Sequence, residues 1–242
     1  MGDGEREGVG FPSPFPFSRS PCSSSAMRTP ILAALALVLA ACARPSLTAP
    51  TPADLASVAP DSFVVAFETT AGRFDVIARR AWSPAGVDRF HHLVRAGFYD
   101  GARFFRVVPN FVAQWGIPAD PAVAEAWRTR RIPDDTVRAS NLRGRVSFAR
   151  GGPNTRTTQL FVNLRDNARL DTLNAFGFPP IGEVIGDGMA VVDSLHSGYG
   201  EGPPRGRGPA QDSIRVQGEA YLARGWPELD AIRRAYLVTV WR

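Results

Sequence analysis

The sequence predicts a mainly β fold, an antiparallel barrel with helices laid over its open ends. Eight short runs after residue 60 alternate apolar and polar residues with the period of a strand, whereas only two or three stretches carry helical spacing. Many strands with few helices argue for an antiparallel barrel and against an alternating α/β architecture. The 242 residues suffice for one medium domain with extensions, and the only cysteines are Cys22 and Cys42. With no pair to cross-link in that domain, a hydrophobic core has to hold it together.

Ahead of the first strand the chain carries an address. Met27-Arg28-Thr29-Pro30 precedes ILAALALVLAAC, Ile31 to Cys42, a basic start and an apolar run too short to span a bilayer. Residues 27–41 are therefore expected to be an export signal. The run ends in Leu39-Ala40-Ala41-Cys42, which resembles the lipobox of bacterial lipoproteins, where the cysteine is lipidated and becomes the first mature residue. The alternative is an ordinary signal with an incidental cysteine. Residues 1–26, rich in Pro, Ser, Gly and Phe, suit no such signal, so they are expected to be a disordered leader or to precede a true start at Met27. Residues 42–60 are Pro/Ala/Ser/Thr-rich and read as a flexible tether between lipid and domain.

The folded domain is expected over residues 61–242. SFVVAFETT and GRFDVIARR meet at Ala71-Gly72 and read as a hairpin. Ser83-Pro84 has the form of an N-cap followed by proline at the first helical position, and Val87, Phe90 and Val94 recur at helical spacing until Gly97. The spacing predicts a helix from Pro84 to Ala96. Tyr99-Asp100-Gly101 turns the chain into a strand from Ala102 to Val108, and Pro109-Asn110 turns it into another from Phe111 to Trp115. Further strands are expected at Arg145 to Ala149, Gln159 to Leu164 and Ile181 to Ile185, then a short helix from Gly188 to His196. A flexible Gly/Pro segment, GYGEGPPRGRGPAQ, leads to a helix from Asp212 to Arg224 and a last strand from Ala231 to Val240.

Composition excludes several function classes. All 28 basic residues are arginine, scattered and not clustered, so the net charge of +5 gives no footprint for nucleic acid. His91 and His92 are neighbours on a helix with no carboxylate spaced to complete a metal site, and they are expected on the helix surface. There is no G-x-S-x-G elbow, and the glycine-rich GGPNTRTTQ lacks the lysine of a phosphate loop. What remains is Arg106, embedded in FFRVVPNFVAQWG. On a strand it shares a face with Phe104 and Val108, which holds its guanidinium over apolar surface. Composition alone leaves open a snorkelling barrel arginine paired with a carboxylate.

VRAGFYDGARFFRVVPNFVAQWG, Val94 to Gly116, followed by VSFARGGPNTRTTQLFVNL, Val146 to Leu164, resembles the signature pair of the cyclophilin-type peptidyl-prolyl isomerases. The likeness runs from about Ser62 to Val240 and includes IGEVIGDGMAVVDSL. It implies a closed eight-stranded antiparallel barrel, capped by a helix at each end, with the substrate groove on its outside. It further implies cis-trans isomerisation of X-Pro bonds, with Arg106 and Gln114 as catalytic residues and Arg106 stabilising the twisted amide. Phe111, Val112, Ala149, Gln159, Phe161 and Leu170 fall on substrate-groove positions. Arg150 stands where the family usually has asparagine, and Phe178 falls at the family's pocket histidine or tyrosine. Arg169 replaces a tryptophan whose indole N–H commonly serves cyclosporin, and an insertion at Leu173 to Phe178 alters the next stretch.

The family needs no cofactor or metal and acts on proline-containing polypeptides. Joined to the lipobox, the resemblance makes the chain a monomeric isomerase of exported proteins, lipid-anchored in the cell envelope and facing the periplasm or the extracellular side. Two other readings stand beside it: a proline-segment binder or chaperone of the envelope without turnover, and a purely structural lipoprotein.

Overall fold

In the computed structural model β1 (Ser62–Thr69) and β2 (Arg73–Arg79) pair antiparallel, with Val65 opposite Val76 and Phe67 opposite Phe74. Their turn closes through the Thr69 hydroxyl, which donates to the Gly72 carbonyl at 2.7 Å, and Gly72 takes a φ of 133° that disfavours any side chain. The structure describes residues 1–2 and 44–241. Cys22, the expected signal at 27–41 and the expected lipid site Cys42 lie outside the described residues.

α1 (Pro52–Leu55) is a single turn ahead of the hairpin, and α2 (Pro84–Ala96) follows it. α2 ends as expected at Gly97, left-handed at φ 73°, and sends Val87, Phe90, Leu93 and Val94 into the core. Its N-terminus is capped differently from the expectation. The Ser83 side chain makes no bond to the helix and donates instead to Asp135, whose carboxylate accepts the Ala85 and Gly86 backbone N–H groups. Burial raises the Asp135 pKa, but these bonds and the Arg156 guanidinium outweigh it and hold the group below its ordinary range.

Beyond α2 come β3 (Arg106–Val108), β4 (Val112–Trp115), α3 (Pro121–Trp127), β5 (Arg145–Phe148), β6 (Leu160–Asn163), β7 (Pro180–Ile185), α4 (Gly188–Asp193), α5 (Gln211–Gly225) and β8 (Ile232–Trp241). The eight strands form one antiparallel sheet in the order β3-β4-β6-β5-β7-β2-β1-β8. It curls into the expected mainly β barrel. Its two edges are joined by a short bridge and not by a full ladder: Gly101 N–H donates to the Ile232 carbonyl and Phe104 N–H to the Asp230 carbonyl, at 2.8 and 2.9 Å. Inside, Phe67, Phe74, Phe104 and Trp115 pack with ring centroids 5.0–6.5 Å apart, the separations of favourable aromatic pairs. α2 lies against β7 and β8, and α4 against β2 and β7.

Further expectations are corrected. Phe104 does not share a face with Arg106, because residues 103–105 belong to the closing bridge and break the alternation, so that both Phe104 and Val107 point into the core. His91 and His92 are buried, at 8% and 4% exposure, since the outer side of α2 is itself covered. His91 packs edge-on to Phe63 and His92 against Trp127. Part of that cover comes from the expected tether: the Leu47 carbonyl accepts from the Trp127 indole N–H at 2.7 Å, and Ala59 N–H donates to Asp88 at 2.8 Å. Lastly, α5 is broken at Gly218, whose φ of 58° and ψ of −142° are non-helical and let Glu219 N–H reach the Ala119 carbonyl on the segment before α3.

Candidate active site

The site begins with strand register. Arg106 on β3 pairs with Gln114 on β4, and Gln114 pairs with Phe161 on β6, so these three stand in one row on the outer face. Their neighbours Val107, Ala113 and Val162 form the row beneath, inside the barrel. The tight turn between β3 and β4 uses Asn110 at φ 57°, a conformation asparagine tolerates better than most residues.

Next to this row lies a pocket of about 220 Å³. Its apolar floor is a cluster separate from the barrel core, made by Val112, Phe161 and Leu170 at 2%, 5% and 4% exposure, with Phe111, Ala149 and Phe178 packed on it. Phe178 meets Phe161 edge-on, centroids 5.6 Å apart. Of the residues expected at the site, Arg106, Phe111, Val112, Gln114, Ala149, Arg150, Phe161, Leu170 and Phe178 all line this pocket. Gln159 does not. It lines an adjoining cleft of about 540 Å³, and its Oε1 accepts from Gln114 Nε2 at 2.8 Å.

The Arg106 guanidinium lies over the Phe111 ring, 5.4 Å from its centroid, with its side chain 19% exposed. Nη1 donates to Gln114 Oε1 at 3.0 Å. Nε and Nη2 donate to the two carboxylate oxygens of Glu201 at 2.6 and 2.7 Å. This bidentate fork is the strongest arrangement open to the pair, and the arginine's hydrogen bonds and charge hold the Glu201 carboxyl below the usual carboxylate range. The two readings of Arg106 thus meet in one geometry, since it is both paired with a carboxylate and held over the pocket.

Two contributors escape local sequence reading. Glu201 comes from the Gly/Pro segment 95 positions beyond Arg106, and nothing in its neighbours marks it. Leu173 comes from the insertion and adds to the pocket wall. That insertion is closed at its base by Asp171, which accepts the backbone and side-chain N–H groups of Asn141 at 2.8 Å, and by Gly177, where a Cβ would fall 2.0 Å from the Asp171 carbonyl oxygen. Arg150 pins its far side, donating from Nε to the Gly177 carbonyl while its guanidinium covers Phe178 at 4.9 Å. Arg169 stacks over Phe111 from its own side at 5.1 Å.

A barrel with an apolar pocket on its outer face, and an arginine–glutamine pair at the rim, defines a cyclophilin-like site. Residues 64–217 match the family model described as "Cyclophilin type peptidyl-prolyl cis-trans isomerase/CLD". The chain is similar to peptidyl-prolyl cis-trans isomerase A of Dickeya dadantii, 36% identical over 169 residues that cover 68% of this chain and 83% of the relative. A peptidyl-prolyl cis-trans isomerase of Streptomyces antibioticus is 34% identical over 149 residues, 59% of this chain and 87% of that one. Among solved structures, a cyclophilin type isomerase of Cryptosporidium parvum superposes with a TM-score of 0.52 at 16% identity, covering 74% of this chain and 98% of that one. The chain belongs to the cyclophilin-type peptidyl-prolyl cis-trans isomerase family. Its enzyme class is peptidyl-prolyl cis-trans isomerase.

Proposed function

We propose that the enzyme isomerises X-Pro bonds of exported proteins and that Arg106 does the chemistry by stabilising the twisted amide. Rotation about an X-Pro bond must break amide resonance, a barrier of roughly 18–20 kcal/mol, and at the twisted state the prolyl nitrogen regains its lone pair. A fixed donor aimed at that nitrogen lowers the twisted state and does little for either planar form, which is the requirement for catalysis. The observation that carries the reading is the placement of the Arg106 guanidinium over Phe111 at the rim of the 220 Å³ pocket. Glu201 and Gln114 take three of its five N–H groups and leave two for a substrate.

Phe111, Val112, Phe161 and Leu170 offer an apolar bed of a size for a pyrrolidine ring, and water exclusion there strengthens the arginine's effect. A solved Cryptosporidium parvum cyclophilin structure, TM-score 0.53, was obtained in the presence of the dipeptide Ala-Pro, which supports a proline occupant for the matching fold. Gln114, held by Gln159, orients the arginine and faces the peptide backbone. In the same reading residues 27–41 direct export and Cys42 carries a lipid, so that the isomerase works at the envelope surface; the support is the run ILAALALVLAAC.

The test is an isomerase assay on an X-Pro peptide, joined to proline-limited refolding of a model protein. Arg106→Ala is expected to lower kcat/KM by about 10²–10³, the cost of removing one such donor, while circular dichroism stays unchanged. Near-wild-type turnover by the folded variant overturns the arginine mechanism and leaves the family assignment standing.

A further inference from the structure

We propose that Glu201 is the positioning residue of this site, a carboxylate that fixes the plane of the Arg106 guanidinium so that its free N–H groups face the proline pocket. The inference rests on the arginine reading above and adds a residue to it. An arginine on a three-residue edge strand, with its partner glutamine on the next strand, retains rotation about its last bonds. One hydrogen bond at 3.0 Å to Gln114 does not fix a plane. Two near-parallel bonds from Nε and Nη2 to one carboxylate do, because the fork matches the acceptor at two points.

The segment that carries Glu201 is built around it. Read as composition, GYGEGPPRGRGPAQ is a flexible linker; folded, it closes on a single residue. Gly208 N–H donates to the Glu201 backbone carbonyl at 2.8 Å, and Gly202 N–H donates to its side-chain Oε1 at 3.1 Å. At Gly206 a Cβ would stand 2.2 Å from the Glu201 carbonyl oxygen, and at Gly208 it would stand 3.0 Å from it. These glycines are required by the close approach of the loop to Glu201. The loop is in turn tied to the end of α5, where the Trp226 indole N–H donates to the Arg207 carbonyl at 2.7 Å. A carboxylate on a free chain end would move with it; this one is anchored.

The same ion pair has an opposite meaning if the carboxylate sits where substrate must go. It does not sit there. Glu201 is absent from the lining of the 220 Å³ pocket and borders a second hollow of about 300 Å³ with Pro203, Pro204 and Arg205, the two hollows meeting at Arg106 and Gln114. The Arg106 guanidinium stacks on Phe111, a residue of the 220 Å³ pocket, while Glu201 grips its Nε–Nη2 edge from outside that lining. The geometry is that of a clamp behind the donor and not of a plug before it.

The experiment is a double-variant cycle in the full chain, with kcat and KM measured on one X-Pro peptide and folding monitored by circular dichroism. Glu201→Ala is expected to lower kcat about tenfold with KM changed by less than about twofold, since misorientation of a donor is felt at the transition state and not in ground-state binding. Glu201→Gln keeps the shape but offers one acceptor and should fall between. In an Arg106→Ala background the same Glu201→Ala change should have no further effect, because the residue acts only through the arginine. An unchanged or raised kcat for the folded Glu201→Ala protein overturns the proposal, and so does an equal loss in the Arg106→Ala background, which marks a purely structural role. Full activity of Arg106→Ala itself would instead remove the arginine reading on which the proposal stands.

Discussion

His91 makes the domain acid-sensitive, and the size of the effect follows from its position. It lies 8% exposed on the helix Pro84–Ala96, edge-on to Phe63 at 4.9 Å, and its Nδ1 has no hydrogen-bond partner among the described residues. Burial pushes its pKa down to about 4; the neighbouring Arg95 and His92 act the same way and Asp88 opposes them. In the unfolded chain the group titrates near 6.5. Above that pH both states are neutral and nothing is lost. As the pH falls from about 6.5 to about 4, only the unfolded chain takes up the proton, so stability declines through that window and levels off below it. The full loss is about 3 kcal/mol, which at the size of this domain lowers the melting temperature by about 6–12 °C. His91→Phe retains the aromatic packing and has no proton to gain. Urea unfolding of both proteins between pH 7.5 and 4 should show a steep acid limb for the natural sequence and a shallower one for the variant, to which His92, whose pKa burial also lowers, and the depressed carboxyls of Glu201 and Asp135 still contribute. Equal slopes for the two proteins would refute the assignment of that limb to His91.

Two further outcomes follow from the site and the leader. Arg169 stacks on Phe111 at the position where the family resemblance leads one to expect a tryptophan, and bringing its charge to an apolar ligand costs desolvation. Inhibition by cyclosporin should therefore be about tenfold weaker than in relatives with the tryptophan and partly restored by Arg169→Trp, measured as inhibition curves on one peptide substrate. Tight inhibition of the natural sequence would show that Leu173 or Phe176 of the insertion supplies the missing wall. For Cys42, a fatty-acid probe fed to cells should label the natural protein and not Cys42→Ser; absence of label from the natural protein would end the lipoprotein reading.

The sequence discloses most of what depends on local periodicity. The hairpin of β1 and β2 and the helix Pro84–Ala96 fall where alternation and helical spacing put them, because the apolar positions that carry those patterns are the ones that fill the core. Nine of the ten expected catalytic and groove residues line one pocket, since most sit in two strand-rich blocks whose pairing fixes their row. What stayed hidden is tertiary. The histidines read as surface because a helix pattern shows one buried face and says nothing of a second cover, here Leu47 and Trp127. α3 was missed although Asp120-Pro121 spells a cap with proline at its first position, for its seven residues are too few to show a period. Glu201 was invisible, as a single carboxylate in a Gly/Pro run has no local signal and finds Arg106 only through the folded loop.

β4 serves two masters with four residues: Ala113 and Trp115 fill the barrel while Val112 and Gln114 line the outer pocket. A strand that alternates in this way can be respelled position by position, but one residue added or lost would turn the tryptophan outward and the glutamine into the core. Gly116 locks the far end as well, since a Cβ there would meet the Thr158 carbonyl oxygen at 2.6 Å. Descendants of this sequence can therefore change length in loops more readily than in β4. Val112 and Gln114 at the outer pocket and Ala113 and Trp115 in the core thus share one register, and neither pair shifts without the other.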